Sequence, residues 1–356
     1  MSGIIYLEDG TIYRGIGFGH KGTNVGEIVF NTSMIGYDEI ITDSTSAGQI
    51  VTMTYPIVGN YGINREVLDE NGLNASGLII KDLCKDPSNY QSDVSLDEFA
   101  KELKIVGVYD IDTRSLTKKI RNIGSVKCVI TNEDLAIEDL KKLINETGLK
   151  ENFIEEYQVE KTHIKGNGTK IAAIDLGGSS KIIELLKEKD CDITVFPYDA
   201  TYEDILEINP NGILVGDGPG NPKQAIKTIE LVKKFIDDKT PMFGIDLGHQ
   251  IIALAAGADT VKMKHGHRGS NHGVSDENIN KSYIVDQNHG FIVDEKSVVE
   301  KDFKVTHRNL NDETVEGIEH NSLPIFSVQF HPQALISIWD TEYLFDKFID
   351  NCKEGK

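Results

Sequence analysis

The sequence predicts an α/β domain over residues 170–356, preceded by a β-rich α+β domain over residues 1–158 and joined to it by a linker at 159–169. Three observations carry this division. The chain has 356 residues, whereas single domains usually run to about 100–200. Its first third is a succession of short β-branched runs broken by glycine and asparagine. From Lys170 onward, short apolar runs alternate with amphipathic helical patterns, as expected of a mostly parallel sheet with helices on both faces.

In chain order, residues 4–7, 11–13, 27–30, 49–55 and 78–80 read as strands. Helical patterns follow at 96–103 and 113–123, the second opening on Asp112 as a cap, and a third at 135–144 closes the domain. The polar stretch from Glu155 ends in Gly166-Asn167-Gly168, the composition of a linker. Residues 171–174 then form a wholly apolar strand. Ser179 or Ser180 caps a helix whose buried face is Ile182, Ile183, Leu185 and Leu186. Strands are expected at 192–196 and 213–215, and a helix at 225–236 with Ile226, Ile229, Val232 and Ile236 on one face. A strand at 242–245 leads into another helix. Strands at 259–263, 283–285, 303–307 and 325–330 suggest a more antiparallel section before a last helix at 341–349.

Composition removes several function classes. Lys and Arg total 37 against 57 Asp and Glu, a formal net charge of -20; such a chain repels polyanions, which argues against nucleic acid or an anionic membrane as partner. Apolar runs fall far short of the roughly 20 residues that span a bilayer, and the first ten residues lack the pattern of a secretory signal. The expected location is the cytoplasm. Cys84, Cys128, Cys191 and Cys352 are widely spaced, with no C-x-x-C pair, and read as ordinary thiols of a reducing compartment.

The chemistry concentrates at Gly244-Ile245-Asp246-Leu247-Gly248. A strand, a residue between two glycines and a helix make the layout of a nucleophile elbow, in which the central side chain is held out into a cleft. That residue should be Ser or Cys; here it is Asp246, which at a helix start is also a candidate N-cap. A nucleophile needs a base and a group that orients the base. His331, at the end of an apolar strand in Ser327-Val328-Gln329-Phe330-His331-Pro332-Gln333, is the candidate base. Gln333 stands where a carboxylate could hold it, and a glutamine brings no charge. Gly216-Asp217-Gly218-Pro219-Gly220 lacks the spacing and the Lys-Ser/Thr ending of a phosphate loop, so no nucleotide site is expected there. His265, His267 and His272 have no carboxylate or cysteine that completes a recognisable zinc set, and no metal is expected.

The elbow with Gly248-His249-Gln250, the segment Gly218-Pro219-Gly220-Asn221-Pro222, and Phe330-His331-Pro332 together resemble the class I, or triad, glutamine amidotransferases. The resemblance extends to the carbamoyl-phosphate synthase small subunit. It does so through Gly48-Gln49-Ile50-Val51-Thr52-Met53-Thr54-Tyr55-Pro56, Gly59-Asn60-Tyr61-Gly62 and Asp112-Thr113-Arg114-Ser115-Leu116-Thr117. His265-Gly266-His267-Arg268-Gly269-Ser270-Asn271-His272 and Gln287-Asn288-His289-Gly290-Phe291 continue it. It implies that 170–356 is an amidotransferase domain of type 1 and 1–158 the small-subunit N-terminal domain. It implies a reaction in which an elbow cysteine attacks the glutamine side-chain amide, forms a glutamyl thioester and releases ammonia to a large synthase subunit. That large subunit would carry ATP and Mg, with no cofactor in this chain. By position it puts the nucleophile at Asp246, the base at His331 and the acid at Gln333. It puts the glutamine-binding groups at Thr45, Gly218, Gly220, Leu247, Gln250, Asn288, Gly290 and Phe291.

Two of these three triad positions depart from the pattern. Thr45 stands in place of the usual serine and Ser44 in place of proline, and Ala334-Leu335-Ile336-Ser337 replaces the turn after the acid. An aspartate attacking an amide would form an anhydride that collapses by expelling carboxylate. The expectation is a small subunit of carbamoyl-phosphate synthase whose own glutaminase activity is lost. Two other readings stay open: a structural or regulatory subunit of an ammonia-dependent synthase, and a glutamine-binding sensor.

Overall fold

Glycine-punctuated β-branched runs close on themselves in the first half of the chain, and alternating strands and helices build an open sheet in the second. The structure, a computed structural model, describes residues 2–65, 74–157, 159–333 and 340–354. It divides into two units: Met1–Lys150 with Lys264–Gly269, and Glu151–Met263 with Ser270–Lys356.

In the first unit, β1 (Ser2–Leu7), β2 (Ile12–Gly19), β3 (Thr23–Asn31), β4 (Gln49–Met53), β6 (Gly77–Ile79), β8 (Val106–Tyr109) and β9 (Lys127–Thr131) form a closed barrel. Its strand order is β1-β2-β8-β6-β4-β3-β9; β5 (Ile57–Val58) and β7 (Asp82–Leu83) pair separately. Closure leaves no unpaired edge. Alternate residues such as Ile5, Leu7, Ile28, Ile50, Ile79, Val108 and Ile130 point into one core, which Leu116 and Ile120 also enter. Leu116 and Ile120 lie on α3 (Thr113–Ile123), and the Asp112 carboxylate caps that helix by accepting from Ser115 N–H at 2.9 Å. The unit's other helices are α1 (Tyr37–Thr42), α2 (Leu96–Glu102) and α4 (Ile137–Glu146). Ser95 and Glu98 close a reciprocal capping box on α2.

In the second unit, β11 (Lys170–Asp175), β12 (Asp192–Pro197), β13 (Gly212–Val215), β14 (Met242–Ile245) and β19 (Ile325–Val328) are parallel neighbours in the order β12-β11-β13-β14-β19. β18 (Val315–His320) and β17 (Phe303–Asn309) continue the sheet antiparallel, followed by β15 (Thr260–Asp276) and β16 (Lys281–Val293). The period-two alternation of strand side chains splits the core. Ala172, Ile174, Ile213, Val215 and Met242 pack with α7 (Ile226–Asp237) and α8 (Leu247–Ala255). Ile171, Ala173, Leu214, Phe243 and Ile245 pack with α5 (Ser180–Glu188) and α10 (Tyr343–Glu354). The remaining helices are α6 (Tyr202–Leu206) and α9 (Glu295–Val299).

Three sequence expectations change. The stretch assigned to a linker at 159–169 contains β10 (Thr162–Ile164), an edge strand antiparallel to β12. Its polar residues are tolerated because an edge strand pairs on one side only. On α7 the buried residues are Thr228, Leu231, Val232 and Phe235, while Ile226 is 60 % exposed. The Thr228 hydroxyl donates to Tyr198 C=O at 2.9 Å, which lets a polar residue face inward and turns the helix from the Ile226 stripe. The expected strands at 259–263 and 283–285 are the ends or middles of much longer ones, and β18 was not expected at all.

Candidate active site

The carboxyl ends of three neighbouring parallel strands supply the site, the usual ligand position in such sheets. Register places Gly244 of β14 beside Val215 of β13, and Ile245 beside Val328 of β19. The residues that follow each strand therefore converge: Asp217 after β13, Asp246 after β14, and Gln329 and His331 after β19. All four are buried.

Asp246 has φ 48° and ψ -106°, a backbone conformation that costs an ordinary L-residue about 1–3 kcal/mol. It is held there by its N–H, which donates to Val328 C=O at 2.9 Å, and by the glycines on either side. A Cβ on Gly248 would lie 2.0 Å from Val215 O, and one on Gly244 would lie 2.7 Å from Gly248 O. These contacts explain why the elbow requires Gly at both positions. The capping expectation for Asp246 is corrected, because its side chain caps no N–H of α8. With ψ turned to -106°, the carboxylate instead takes the Gln329 amide, Nε2 donating to Oδ1 at 2.5 Å. Gln250 Nε2 donates on to Gln329 Oε1 at 2.9 Å and to Phe291 C=O at 3.1 Å.

His331 is anchored through its backbone N–H to Asp286 C=O at 3.0 Å. Its Nδ1 lies 3.1 Å from Gln333 Nε2, so the residue expected at the acid position does reach the base. The same nitrogen lies 3.0 Å from Asp217 Oδ2. Sequence reasoning misses this contact, since it weighs the Gly216–Gly220 segment only as a phosphate loop and for its glycines. The aspartate inside it was the available signal. Asp175, at the end of β11, adds a second carboxyl: Gly177 and Ser179 N–H donate to its Oδ1 at 2.9 and 3.3 Å. Burial raises its pKa, and the charge of Asp217 adds to the rise.

The expected glutamine-binding residues fall in both units. Gly218 and Gly220 follow β13, and a Cβ on either would meet backbone oxygens of Leu176 or Glu151 at 2.5 and 2.7 Å. Leu247 and Gln250 begin α8, whose first N–H groups have no acceptor within the helix. Asn288, Gly290 and Phe291 lie on β16. Thr45 belongs to the first unit, in a turn where the Asp43 carboxylate accepts its N–H at 2.9 Å. The altered turn at Ala334-Leu335-Ile336-Ser337 lies outside the described residues. His249, beside the elbow, is structural: its Nδ1 meets Ser327 Oγ at 2.8 Å, and burial, with repulsion from His307, pushes its pKa down to about 3.

Comparison with known proteins agrees with this architecture. Residues 172–351 match the family described as glutamine amidotransferase class-I, and residues 5–130 match the carbamoyl-phosphate synthase small chain, CPSase domain. A carbamoyl phosphate synthase small chain of Clostridium acetobutylicum is 54% identical over 351 residues, covering 98% of this chain and 100% of that protein. The small chain of Fusobacterium nucleatum is 44% identical, covering 98% of this chain and 97% of its own. The pyrimidine-specific small chain of Bacillus subtilis is also 44% identical, covering 99% and 97%. The chain thus belongs to the carbamoyl-phosphate synthase small-chain family, with a class I glutamine amidotransferase domain as its second half.

Proposed function

We propose that this chain is the small subunit of a carbamoyl-phosphate synthase in which the glutamine cleft survives as architecture but no longer cleaves glutamine. One observation carries the reading: the elbow presents Asp246, and its carboxylate is tied to Gln329 at 2.5 Å. Glutamine hydrolysis at an elbow needs a nucleophile whose acyl adduct loses the amine faster than it reverses. A thiolate meets that condition, and a carboxylate, a better leaving group than ammonia, does not. Loss of a triad nucleophile costs about 10⁶ in kcat. The large synthase subunit, which would bind ATP and Mg, then draws on free ammonia, and this chain serves assembly and support.

Reconstitution with a large synthase subunit tests this. Ammonium is expected to sustain carbamoyl phosphate formation while glutamine does not; glutamine-dependent synthesis at a comparable rate would overturn the proposal. The sensor reading is less favoured, because both amide hydrogens of Gln250 are already committed to Phe291 and Gln329. Calorimetric titration with glutamine, expected to give no heat of binding, separates the two.

A further inference from the structure

We infer that Asp217, and not Gln333, is the residue that positions His331, so that the base keeps a carboxylate partner although the expected acid position holds an amide. Both residues reach the same nitrogen. Asp217 Oδ2 is 3.0 Å from His331 Nδ1 and Gln333 Nε2 is 3.1 Å from it. Nδ1 carries at most one proton, and a carboxylate is the stronger acceptor for it. The proton therefore lies toward Asp217. An amide N–H₂ facing that N–H would set donor against donor, while the buried Gln333 Oε1 has no hydrogen-bond partner among the described residues. Turning the amide about its last bond brings that oxygen to Nδ1–H and relieves both faults. Gln333 then supplements a hydrogen bond that Asp217 dominates.

The surroundings of Asp217 fit this assignment. It is 2 % exposed, and its other oxygen, Oδ1, has no hydrogen-bond partner among the described residues. A buried carboxylate so poorly served gains most from a cationic or N–H neighbour. Asp175 on the adjacent strand holds its own carboxyl toward the protonated form. Gln333 also meets the His331 ring, and the Asp286 carbonyl accepts the backbone N–H of His331. With Nδ1 protonated toward Asp217, the opposite nitrogen, Nε2, is the one that exchanges a proton with a reacting group. This is the tautomer that a triad base needs.

The inference relies on the proposed function only in naming glutamine as the substrate of a repaired site. Its first test is independent of turnover and uses the full native chain. In protein labelled with ¹⁵N at histidine, His331 is expected to show a protonated Nδ1 at neutral pH. Asp217→Asn, close to isosteric, should abolish that signature, and Gln333→Met should leave it. In the second test, Asp246→Cys removes the carboxylate that holds Gln329 against Gln250, which frees Gln250 for glutamine, and should alone restore glutaminase activity. The introduced thiol gives its proton to His331 and forms the S–C bond, and the C–N bond breaks as that proton passes to the departing ammonia. Water then cleaves the thioester to glutamate. Adding Asp217→Asn to this background should lower kcat/KM by about 10²–10³, with a changed pH profile, and adding Gln333→Met by less than about 10. If Gln333→Met removes the Nδ1 signature or the activity while Asp217→Asn does not, the assignment is overturned. If Asp246→Cys is inert, the nitrogen spectra decide alone.

Discussion

Asp246 keeps the strained backbone of a nucleophile without a nucleophile's side chain, and the strain is measurable. Glycine accepts φ 48° without a Cβ conflict, whereas alanine does not. Asp246→Gly is therefore expected to be more stable than Asp246→Ala by about 1 kcal/mol in denaturant unfolding, although both lose the bond to Gln329. Equal stabilities would show that the elbow relaxes when the carboxylate is removed. Asp246 could be located from sequence because the flanking glycines mark the bend whatever residue occupies it. Asp217 offered only a carboxylate in a glycine-rich turn; that it meets His331 depends on the register of β13, β14 and β19, which no local pattern reveals.

The elbow works because β13 and α8 approach within the thickness of a glycine. Gly248→Ala would press a methyl against Val215 O at 2.0 Å; it is expected to destabilise the domain by about 3 kcal/mol or more, or to prevent folding, as read by thermal unfolding. The antiparallel section adds a pH-dependent element. Burial pushes the Asp276 carboxyl up, but His307 at 3.4 Å and the Tyr343 hydroxyl at 2.5 Å more than offset this and hold it well below the usual carboxylate range. A group depressed in this way contributes stability above its unfolded pKa near 4 and loses it as pH falls. Asp276→Asn should therefore flatten the fall in stability below about pH 4, measured by urea unfolding at several pH values. An unchanged acid limb would assign that loss to other carboxylates. Strands such as β11 and β14 were legible as unbroken apolar runs buried on both faces. β18, Val315-Glu316-Gly317-Ile318-Glu319-His320, was not, because Glu316 is buried within it and accepts from the Asn309 amide at 3.0 Å. A buried carboxylate in a strand looks polar until its partner is known.

Across the whole chain each unit has its own core, and similarity to the small-chain relatives runs through both. The division into a β-rich half and an α/β half was legible because the period of the apolar pattern changes near Lys170. The six residues of 264–269 that join the first unit were not, because their anchors are distant in sequence: Thr32 N–H donates to Arg268 C=O at 3.1 Å, and Arg268 Nε to Gln49 Oε1 at 3.1 Å. Among the four thiols, Cys128, Cys191 and Cys352 are buried. Burial pushes Cys191 up to about 11, aided by Asp190, and Cys352 up to about 12, with Cys128 raised further still. Titration with a chromogenic disulfide should find one reactive thiol, Cys84, in the native protein and four in denaturant; three or more in the native state would contradict this packing. A glutaminase built on cysteine stops when its thiolate meets peroxide or an electrophile. With a carboxylate at the elbow and three of its four cysteines buried, this subunit carries no elbow thiolate for an oxidant to destroy, so oxidation of Cys84 should leave the elbow chemically unmarked.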